Sequence, residues 1–301
     1  MSADLSIKHV SDTALWVAHF RAREAQRPDA IFQDPLASLL AGERGRRIAR
    51  SFPRSGNIAW GTVVRSSAID RLIGDALELG VDSILNLGAG LDTRPYRMRL
   101  PAQLHWIEVD FPSVIEFKRS KLSPYNPACS VERIGMDLLD RSSRRAFFAK
   151  CGSQFKSTLL ISEGLIPFMS AHDVASLARD LATVTSFRYW ISDFANLNSK
   201  RKTPKGWESK LKAAPFLFDA DDCIAFFRQT GWYPRKIITS GEESETVNRP
   251  YPLDFPRGLI MRALPREVRR RILDLSGVVL MHADETPTRL STQASSSPPA
   301  P

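Results

Sequence analysis

The stretch Ser83-Ile84-Leu85-Asn86-Leu87-Gly88-Ala89-Gly90-Leu91-Asp92-Thr93-Arg94 decides the fold of this chain. The apolar run Ile84–Leu87 predicts a buried parallel strand, which ends in a turn that carries glycines at positions 88 and 90. Glycine has no Cβ, so the backbone N–H groups of such a turn can come close to a bound ligand. The stretch therefore predicts a ligand site at the carboxyl end of the first strand.

The turn departs from the fingerprint of dinucleotide-binding proteins. The pattern G-x-G-x-x-G would need a glycine at position 93, where the chain has Thr93. Asp92 also places a negative charge where a pyrophosphate would lie. A cationic or zwitterionic nucleoside fits better, and S-adenosyl-L-methionine, which carries a sulfonium and an ammonium but no phosphate, is the cofactor that we expect.

The bulk composition is that of an ordinary soluble globular protein, since 43% of the 301 residues are apolar and 25% are charged. No apolar run approaches the ~18 residues that a membrane span needs, and the first residues lack a secretory signal pattern. Three cysteines (Cys129, Cys151 and Cys223) show no paired spacing, which predicts reduced thiols in a cytoplasmic protein. The five histidines have no metal-binding spacing, so we expect no metal.

The net charge of +9 raises the question of a nucleic-acid partner. Two basic clusters stand out, one of Lys200, Arg201, Lys202 and Lys205 and one of Arg266, Arg269, Arg270 and Arg271. Neither cluster is interleaved with aromatic residues, and no nucleic-acid-binding motif is present. We therefore expect solvated basic faces and no nucleic acid, while attraction for anionic substrates stays open.

Apolar residues recur at helical spacing near the start of the chain, where Ser11 or Asp12 would cap a helix and Asp34-Pro35 would interrupt the pattern. Residues 1–60 are predicted to form a helical cap, residues 61–283 the main domain and residues 284–301 a disordered tail rich in Ser and Pro. A helix over 64–79 should lead into the first strand.

Strands and helices alternate after that point. Strands are predicted at 84–87, 105–110, 131–134, 157–162 and 188–194. Helices are predicted at 112–121, after residue 138 to about residue 150, at 172–184 and at 221–230. The segments 233–239 and 277–282 could form a hairpin-like pair. Alternating βα units imply an α/β fold with a parallel sheet, helices on both faces and the ligand at the carboxyl ends of the strands.

Six motifs occur in order along residues 11–240. They are TALWVAHFRARE with a following QDPLA, then VVRSSAID, NLGAGLDTRPYR, EVDFPSVIEFKRSKL, GMDLLD and SEGLIPFM. In these motifs the chain resembles the leucine carboxyl methyltransferase-like family of class I S-adenosylmethionine-dependent methyltransferases, which includes polyketide O-methyltransferases. The resemblance implies a Rossmann-like sheet of seven mostly parallel strands with an antiparallel terminal strand, preceded by an N-terminal helical cap.

The resemblance also implies roles in cofactor binding. Gly88 and Gly90 would pass close to the methionine moiety, and Asp110, 20 residues beyond Gly90, would accept hydrogen bonds from the ribose hydroxyls. Asp137 and Leu138 would hold the adenine. The alternatives are an ordinary strand-end carboxylate for Asp110 and a helix N-cap for Asp137.

Charged residues of the motifs are the candidates for the reaction. Arg65 and Glu163 are predicted as catalytic and cofactor-binding residues, because a guanidinium can hold a carboxylate of the cofactor or substrate and Glu163 could neutralise the ammonium or sulfonium region. Arg21 has a similar implied role in cofactor binding, although Arg23 lies close enough to confuse the assignment. A surface salt bridge is the alternative for each arginine. For Arg94 we expect a structural pairing with Asp92.

The expected reaction is in-line methyl transfer to a carboxylate or hydroxyl oxygen of a small, acidic or phenolic metabolite. No histidine lies within a motif, which favours an acceptor that needs no general base, although His19 or His172 could reach the site. The family usually has a tyrosine near the position of Phe168, so substrate identity need not follow the family. The alternatives are an NAD-dependent oxidoreductase, a non-catalytic cofactor-binding or partner protein, and methylation of a protein C-terminal carboxyl group. The oligomeric state is not predicted.

Overall fold

The computed structural model describes residues 9, 11–52, 55–195, 211–252 and 263–283. The first basic cluster, the predicted tail 284–301 and the side chain of Arg269 lie outside the described residues. Among the described residues, none of the helices combines the length and apolar character that crossing a bilayer requires.

A single sheet of seven strands forms the centre of the molecule. The strands are β1 Ser83–Leu87, β2 His105–Asp110, β3 Ser130–Gly135, β4 Thr158–Ser162, β5 Phe187–Ala195, β6 Trp232–Thr239 and β7 Ser276–Ala283. Their order across the sheet is β3-β2-β1-β4-β5-β7-β6. Strands β1 to β5 pair in parallel, and β7 runs antiparallel to both β5 and β6. The predicted α/β fold class is confirmed.

Helices cover the sheet and its carboxyl edge. They are α1 Asp12–Ala25, α2 Ala37–Ser51, α3 Ser55–Glu78, α4 Arg94–Arg97, α5 Pro112–Leu122, α6 Arg141–Gln154, α7 Ala171–Ala182, α8 Cys223–Arg228, α9 Ser240–Thr246 and α10 Arg266–Leu273, with a 3₁₀ turn at Ile166–Phe168. The short helices α4, α9 and α10 were not predicted, because fewer than three turns give little periodic signal.

The sheet is buried on both faces, as the apolar run of β1 predicts. Ile84 packs into one core cluster with Trp106, whereas Leu85 and Leu87 pack into the cluster on the other face. Successive side chains of a strand point to opposite faces, so a strand covered on both sides must be apolar throughout. The first strand therefore lies in the middle of the molecule, and the turn that follows it lies at the centre of the carboxyl edge.

Helix α3 begins earlier than predicted. It starts at Ser55 instead of residue 64, and the predicted boundary between residues 60 and 61 falls inside it. Glycines in the first turns of α3 weaken the helical pattern in the sequence. Tertiary contacts compensate, since Trp60 stacks edge-on against Tyr251 and its indole N–H donates to the Arg249 carbonyl at 2.8 Å.

The last two strands pair as predicted, but they do not form a hairpin. Strand β7 lies between β5 and β6, and the connection from β6 to β7 contains α9 and α10. Helix α8 ends at Arg228, two residues before the predicted end at residue 230, and Gly231, which follows, has a φ of +90° that favours glycine.

Asp34 ties the N-terminal helices to the glycine turn. Its carboxylate is fully buried and accepts hydrogen bonds from Arg21 Nε at 2.9 Å and from Thr93 Oγ1 at 2.7 Å. It also accepts from the Ala37 N–H at 3.1 Å, at the start of α2. The Asp-Pro pair thus does more than interrupt a helix, because it holds α1, α2 and the turn after β1 together.

Asp34→Asn is expected to lower the free energy of unfolding by about 3 kcal/mol, because it leaves the buried Arg21 guanidinium without its counter-charge. Urea unfolding monitored by circular dichroism measures this change. Asp75→Asn is the matched control, since Asp75 pairs with Lys236 at 2.6 Å in an exposed position and should cost about 1 kcal/mol or less. Equal losses in the two variants would contradict the anchoring role of Asp34.

Candidate active site

A cavity of about 510 Å³ lies at the carboxyl edge of the sheet, beneath α1. We call it the first cavity. All eight predicted site residues line it, namely Arg21, Arg65, Gly88, Gly90, Asp110, Asp137, Leu138 and Glu163. Its volume lies within the range of about 300–1,000 Å³ that is usual for small-molecule and cofactor sites. The structure therefore brings together residues that the sequence spreads over 140 positions.

The glycine turn and Asp110 form one unit. Gly88 and Gly90 have φ values of +64° and +46°, in the left-handed region that favours glycine. The Gly90 N–H donates to Asp110 Oδ2 at 2.7 Å, and the Phe111 N–H donates to Asp110 Oδ1 at 2.7 Å. Burial raises the pKa of Asp110, although both N–H groups oppose the rise. Each carboxylate oxygen keeps a lone pair with which it can accept a ligand hydroxyl.

Asp137 and Leu138 lie at the far end of the first cavity. The exposed Asp137 accepts from the Leu139 N–H at 2.9 Å. The N-cap alternative for Asp137 is wrong, because α6 is capped by Asp140, which accepts from the N–H groups of Ser142 and Ser143. The Leu138 side chain is buried, and its carbonyl already accepts from Arg144 Nη1 at 2.8 Å. Leu138 therefore offers the cavity an apolar surface.

Glu163, directly after β4, lies between two guanidinium groups. Arg65 Nε donates to Oε1 at 3.0 Å, and Arg94 Nη1 lies 2.8 Å from Oε2. Arg65 Nη1 also donates to Asp193 Oδ2 at 3.3 Å. Burial alone would raise the pKa of Glu163, but Arg94 and Arg65 outweigh it and lower the pKa to about 2. Glu163 is therefore an ionised carboxylate whose charge the protein itself balances.

Arg94 extends this ionic contact into the glycine turn. Its Nη1 also donates to Asp92 Oδ2 at 2.7 Å, and its Nε donates to Asp70 Oδ1 at 2.6 Å. Asn86 Nδ2 donates to the same Asp92 oxygen at 2.9 Å. The Asp92 pKa is held well below its usual range, because Arg94 and other cations outweigh the effect of burial. The expected pairing of Arg94 with Asp92 is confirmed, and the structure adds Asp70 and Glu163 as partners.

Arg21, and not Arg23, lines the first cavity. Arg23 is exposed and is not among the described lining residues, whereas Arg21 is buried and donates from Nη2 to the Leu91 carbonyl at 2.5 Å as well as to Asp34. These two contacts fix α1 against the glycine turn. Any contact that Arg21 makes with a ligand therefore comes from a guanidinium that the protein has already positioned.

Four charged or polar residues of the site were missed in the sequence: Asp34, Asp70, Asn86 and Asp193. Asn86 gave a signal, since a polar residue within an apolar strand must find a buried partner. Asp193 also gave one, because it stands near the end of β5 as Glu163 does after β4. Asp70 gave no signal of this kind, because its partners Arg94 and Arg97 lie 24 and 27 residues away. Asp34 has one partner nearby, the Ala37 N–H, but its side-chain partners Arg21 and Thr93 lie 13 and 59 residues away.

The aromatic and histidine candidates are placed as follows. Phe168 lines the first cavity, and its ring centroid lies 5.4 Å from that of Phe216. Burial, with help from nearby arginines, lowers the pKa of His19, and His172 is exposed. Neither histidine is among the described residues that line the first cavity. The described residues also contain no cluster of His, Cys, Asp or Glu that could hold a metal ion.

The chain is similar in sequence to known proteins. Residues 14–182 match the model of the family described as "Leucine carboxyl methyltransferase". A relative from Mycobacterium bovis, described as "Putative S-adenosyl-L-methionine-dependent methyltransferase", is 30% identical over 276 residues, covering 82% of this chain and 87% of the relative. One of the same description from Mycobacteroides abscessus is 29% identical over 217 residues, or 67% of each chain.

Solved structures resemble this one in fold. A DUF574 family protein from Streptomyces avermitilis has a TM-score of 0.56 at 12% identity, covering 90% of this chain and 97% of that one. A putative methyltransferase from Thermobifida fusca has a TM-score of 0.52 at 12% identity, covering 94% and 98%. The sheet order and the glycine turn at the cavity are those of a class I Rossmann-like methyltransferase.

The chain belongs to the leucine carboxyl methyltransferase family. It is a methyltransferase whose cofactor is S-adenosyl-L-methionine. The predicted family, enzyme class and cofactor are confirmed, and the oxidoreductase alternative finds no support.

Glu163→Gln is expected to lower the free energy of unfolding by about 3 kcal/mol at neutral pH, because the folded-state pKa of Glu163 is about 2 against an ordinary value of 4.5. A carboxylate with a lowered pKa stabilises the fold at every pH above its ordinary pKa. That stabilisation is lost as the pH falls from the ordinary pKa toward the folded-state pKa. The difference between wild type and variant should therefore shrink below about pH 4.5.

Urea unfolding between about pH 7 and about pH 3 measures this difference. Glu116→Gln is the control, since Glu116 pairs with Arg119 on the exposed face of α5. A wild-type advantage that stays constant over the whole pH range would show that the charge of Glu163 contributes nothing to stability.

Proposed function

We propose that the chain is an O-methyltransferase that acts on a carboxylate or hydroxyl of a small metabolite. The proposal rests on the contact between Asp110 and the glycine turn, which leaves a carboxylate at the cavity for the hydroxyl groups of a nucleoside. Asp92 of the same turn places a negative charge where the pyrophosphate of a dinucleotide would lie. Two further features support a sulfonium nucleoside in the first cavity. Its described lining contains the four acids Asp92, Asp110, Asp137 and Glu163, and Leu138 offers it an apolar surface.

Each predicted site residue has a proposed part in holding the cofactor. Asp110 would accept from the ribose hydroxyls, and Asp137 and Leu138 would hold the adenine ring. Gly88 and Gly90 would let the methionine moiety lie against the backbone of the turn. These assignments use the carboxylate lone pairs and the apolar surface that the protein leaves available.

Arg65, Arg21 and Glu163 would bind the charged end of the methionine moiety. Glu163 and Asp193 fix the Arg65 guanidinium from two sides, so that Arg65 is oriented before a carboxylate arrives. Glu163 is ionised and lies within reach of an ammonium or sulfonium, but two arginines already balance its charge. Its proposed role is therefore first to orient Arg65 and second to face the cationic part of the cofactor.

Methyl transfer from a sulfonium needs no acid catalysis of the leaving group by the protein. When bound, the cofactor supplies a methyl group on a sulfonium, whose leaving group is already activated. The chain must then align the acceptor oxygen with that methyl group and exclude water. The fixed arginine and the helices α1 and α3 over the cavity serve this purpose. A carboxylate acceptor is ionised at neutral pH, whereas a hydroxyl acceptor must lose a proton.

Asp110→Asn is expected to weaken S-adenosyl-L-methionine binding at least about tenfold, because hydrogen bonds to a charged acceptor contribute about 1.5–3 kcal/mol each. Isothermal titration calorimetry of the purified chain measures the dissociation constant, with NADH as the control ligand. Asp75→Asn, outside the first cavity, should bind like wild type. Heat with NADH but none with S-adenosyl-L-methionine would overturn the proposed function.

A further inference from the structure

A second cavity of about 700 Å³ adjoins the first. The two cavities share the lining residues Ile58, Thr62, Arg65, Pro167, Phe216 and Leu217. The two cavities therefore meet along these shared side chains, on the side of Arg65. Methyl transfer needs the acceptor oxygen in contact with the methyl carbon, so the acceptor has to bind beside the cofactor.

Aromatic side chains form much of the second cavity. Its described lining includes Trp60, Phe194, Phe216, Phe218 and Phe227. Aromatic rings pack favourably edge-on or offset against a further ring. The cavity surface therefore suits a flat aromatic acceptor better than a flexible aliphatic chain.

The charged side chains of the second cavity are mostly acidic. Among its described lining residues, the carboxylates of Asp193, Asp219 and Asp221 stand against the one guanidinium of Arg65. Arg65 already contacts Glu163 and Asp193. The proposed function also assigns Arg65 to the carboxylate of the cofactor, so no described cation of the lining is left for an anionic acceptor. An anionic acceptor would meet like charge there, whereas a neutral or cationic one would not.

Asp193 is the acid that lies closest to the boundary between the cavities. Its side chain is 12% exposed, and its Oδ1 accepts from the Gly164 N–H at 2.8 Å while its Oδ2 accepts from Arg65. Each oxygen keeps a further lone pair for a donor in the cavity. Asp219 and Asp221 are exposed, so the cavity opens to solvent at these two residues.

We propose that the second cavity is the acceptor site and that the acceptor is a hydroxylated aromatic compound, uncharged or positively charged, methylated on its hydroxyl oxygen. This inference rests on the proposed function and narrows it to a hydroxyl acceptor. Of the two acceptor classes that the sequence predicts, acidic and phenolic, it keeps the phenolic one. Asp193 is the residue that receives the acceptor's hydroxyl group.

The bonds and charges of the step balance as follows. The hydroxyl oxygen forms a bond to the methyl carbon while the bond between that carbon and the sulfonium sulfur breaks, and the electron pair of the broken bond stays on sulfur. The hydroxyl proton passes to the Asp193 carboxylate and from there to solvent at the open side of the cavity. The products are a methyl ether and a neutral thioether.

Three phenols of matched shape test the proposal: 4-ethylphenol, tyramine and 4-hydroxyphenylacetate, whose side chains are neutral, cationic and anionic. The full chain is incubated with S-adenosyl-L-methionine and each phenol, and mass spectrometry distinguishes methyl ether from methyl ester products. We expect ethers only, with kcat/KM for 4-ethylphenol and tyramine at least about tenfold above that for 4-hydroxyphenylacetate. Preference for 4-hydroxyphenylacetate, a methyl ester product, or no methylation of any phenol would overturn the inference.

Two variants test the residues that carry the argument. The double variant Asp219→Asn with Asp221→Asn should reduce the preference for tyramine over 4-hydroxyphenylacetate, and Asp75→Asn should keep the wild-type preference. Asp193→Asn should lower kcat for 4-ethylphenol at least about tenfold. Calorimetry of the double variant should show the wild-type S-adenosyl-L-methionine affinity within about twofold, because Asp219 and Asp221 do not line the first cavity. A preference unchanged in the double variant would refute the charge argument.

Calorimetry with S-adenosyl-L-methionine distinguishes failure of the proposed function from failure of the hydroxyl-acceptor inference. Absence of S-adenosyl-L-methionine binding would contradict the proposed function itself. Binding together with methyl ester products would keep the proposed function and overturn only the hydroxyl acceptor.

Discussion

The buried guanidinium of Arg94 is the interaction on which the site depends. Its side chain is 2% exposed, and it contacts Asp70 of α3, Asp92 of the glycine turn and Glu163 after β4. A charge removed from water is costly unless ionised partners surround it. Because the three carboxylates come from three separate elements, the requirement for partners fixes the positions of these elements relative to one another.

The contacts of Arg94 also determine the roles of the neighbouring charged residues Glu163 and Arg65. Glu163 is held ionised by Arg94 on one side, and it therefore orients Arg65 on the other. Arg65 in turn contacts Asp193, so that guanidinium and carboxylate groups alternate from the glycine turn to the boundary between the two cavities. Each of these side chains is held by partners of opposite charge, which suits a reaction that depends on the alignment of cofactor and acceptor.

Local patterns were enough to predict most of the sheet, because a strand buried on both faces must be mostly apolar, and Ile84, Leu85 and Leu87 show this in β1. They were also enough to place Asp110, since it ends a strand. The ionic contacts were different. Arg65 is 98 residues from Glu163 and 128 from Asp193, and no periodicity records a pairing at that separation. The start of α3 was missed for a related reason, since Trp60 and its distant partner Arg249 stabilise turns whose own helix propensity is low.

The family match supports the assignment of the cofactor site but does not extend to the proposed acceptor site. All the predicted site residues lie within residues 14–182, the part of the chain that matches the family. Asp193, Asp219 and Asp221, which carry the charge of the second cavity, lie beyond it. Family membership therefore supports what binds in the first cavity and leaves the second cavity to be argued from its own side chains. A carboxylate acceptor would need a cation there that is free to pair with it, whereas Arg65, the cation of the described lining, contacts two carboxylates and is assigned to the carboxylate of the cofactor. The charges of the second cavity thus favour a hydroxyl acceptor in a chain whose family is named for a carboxyl group.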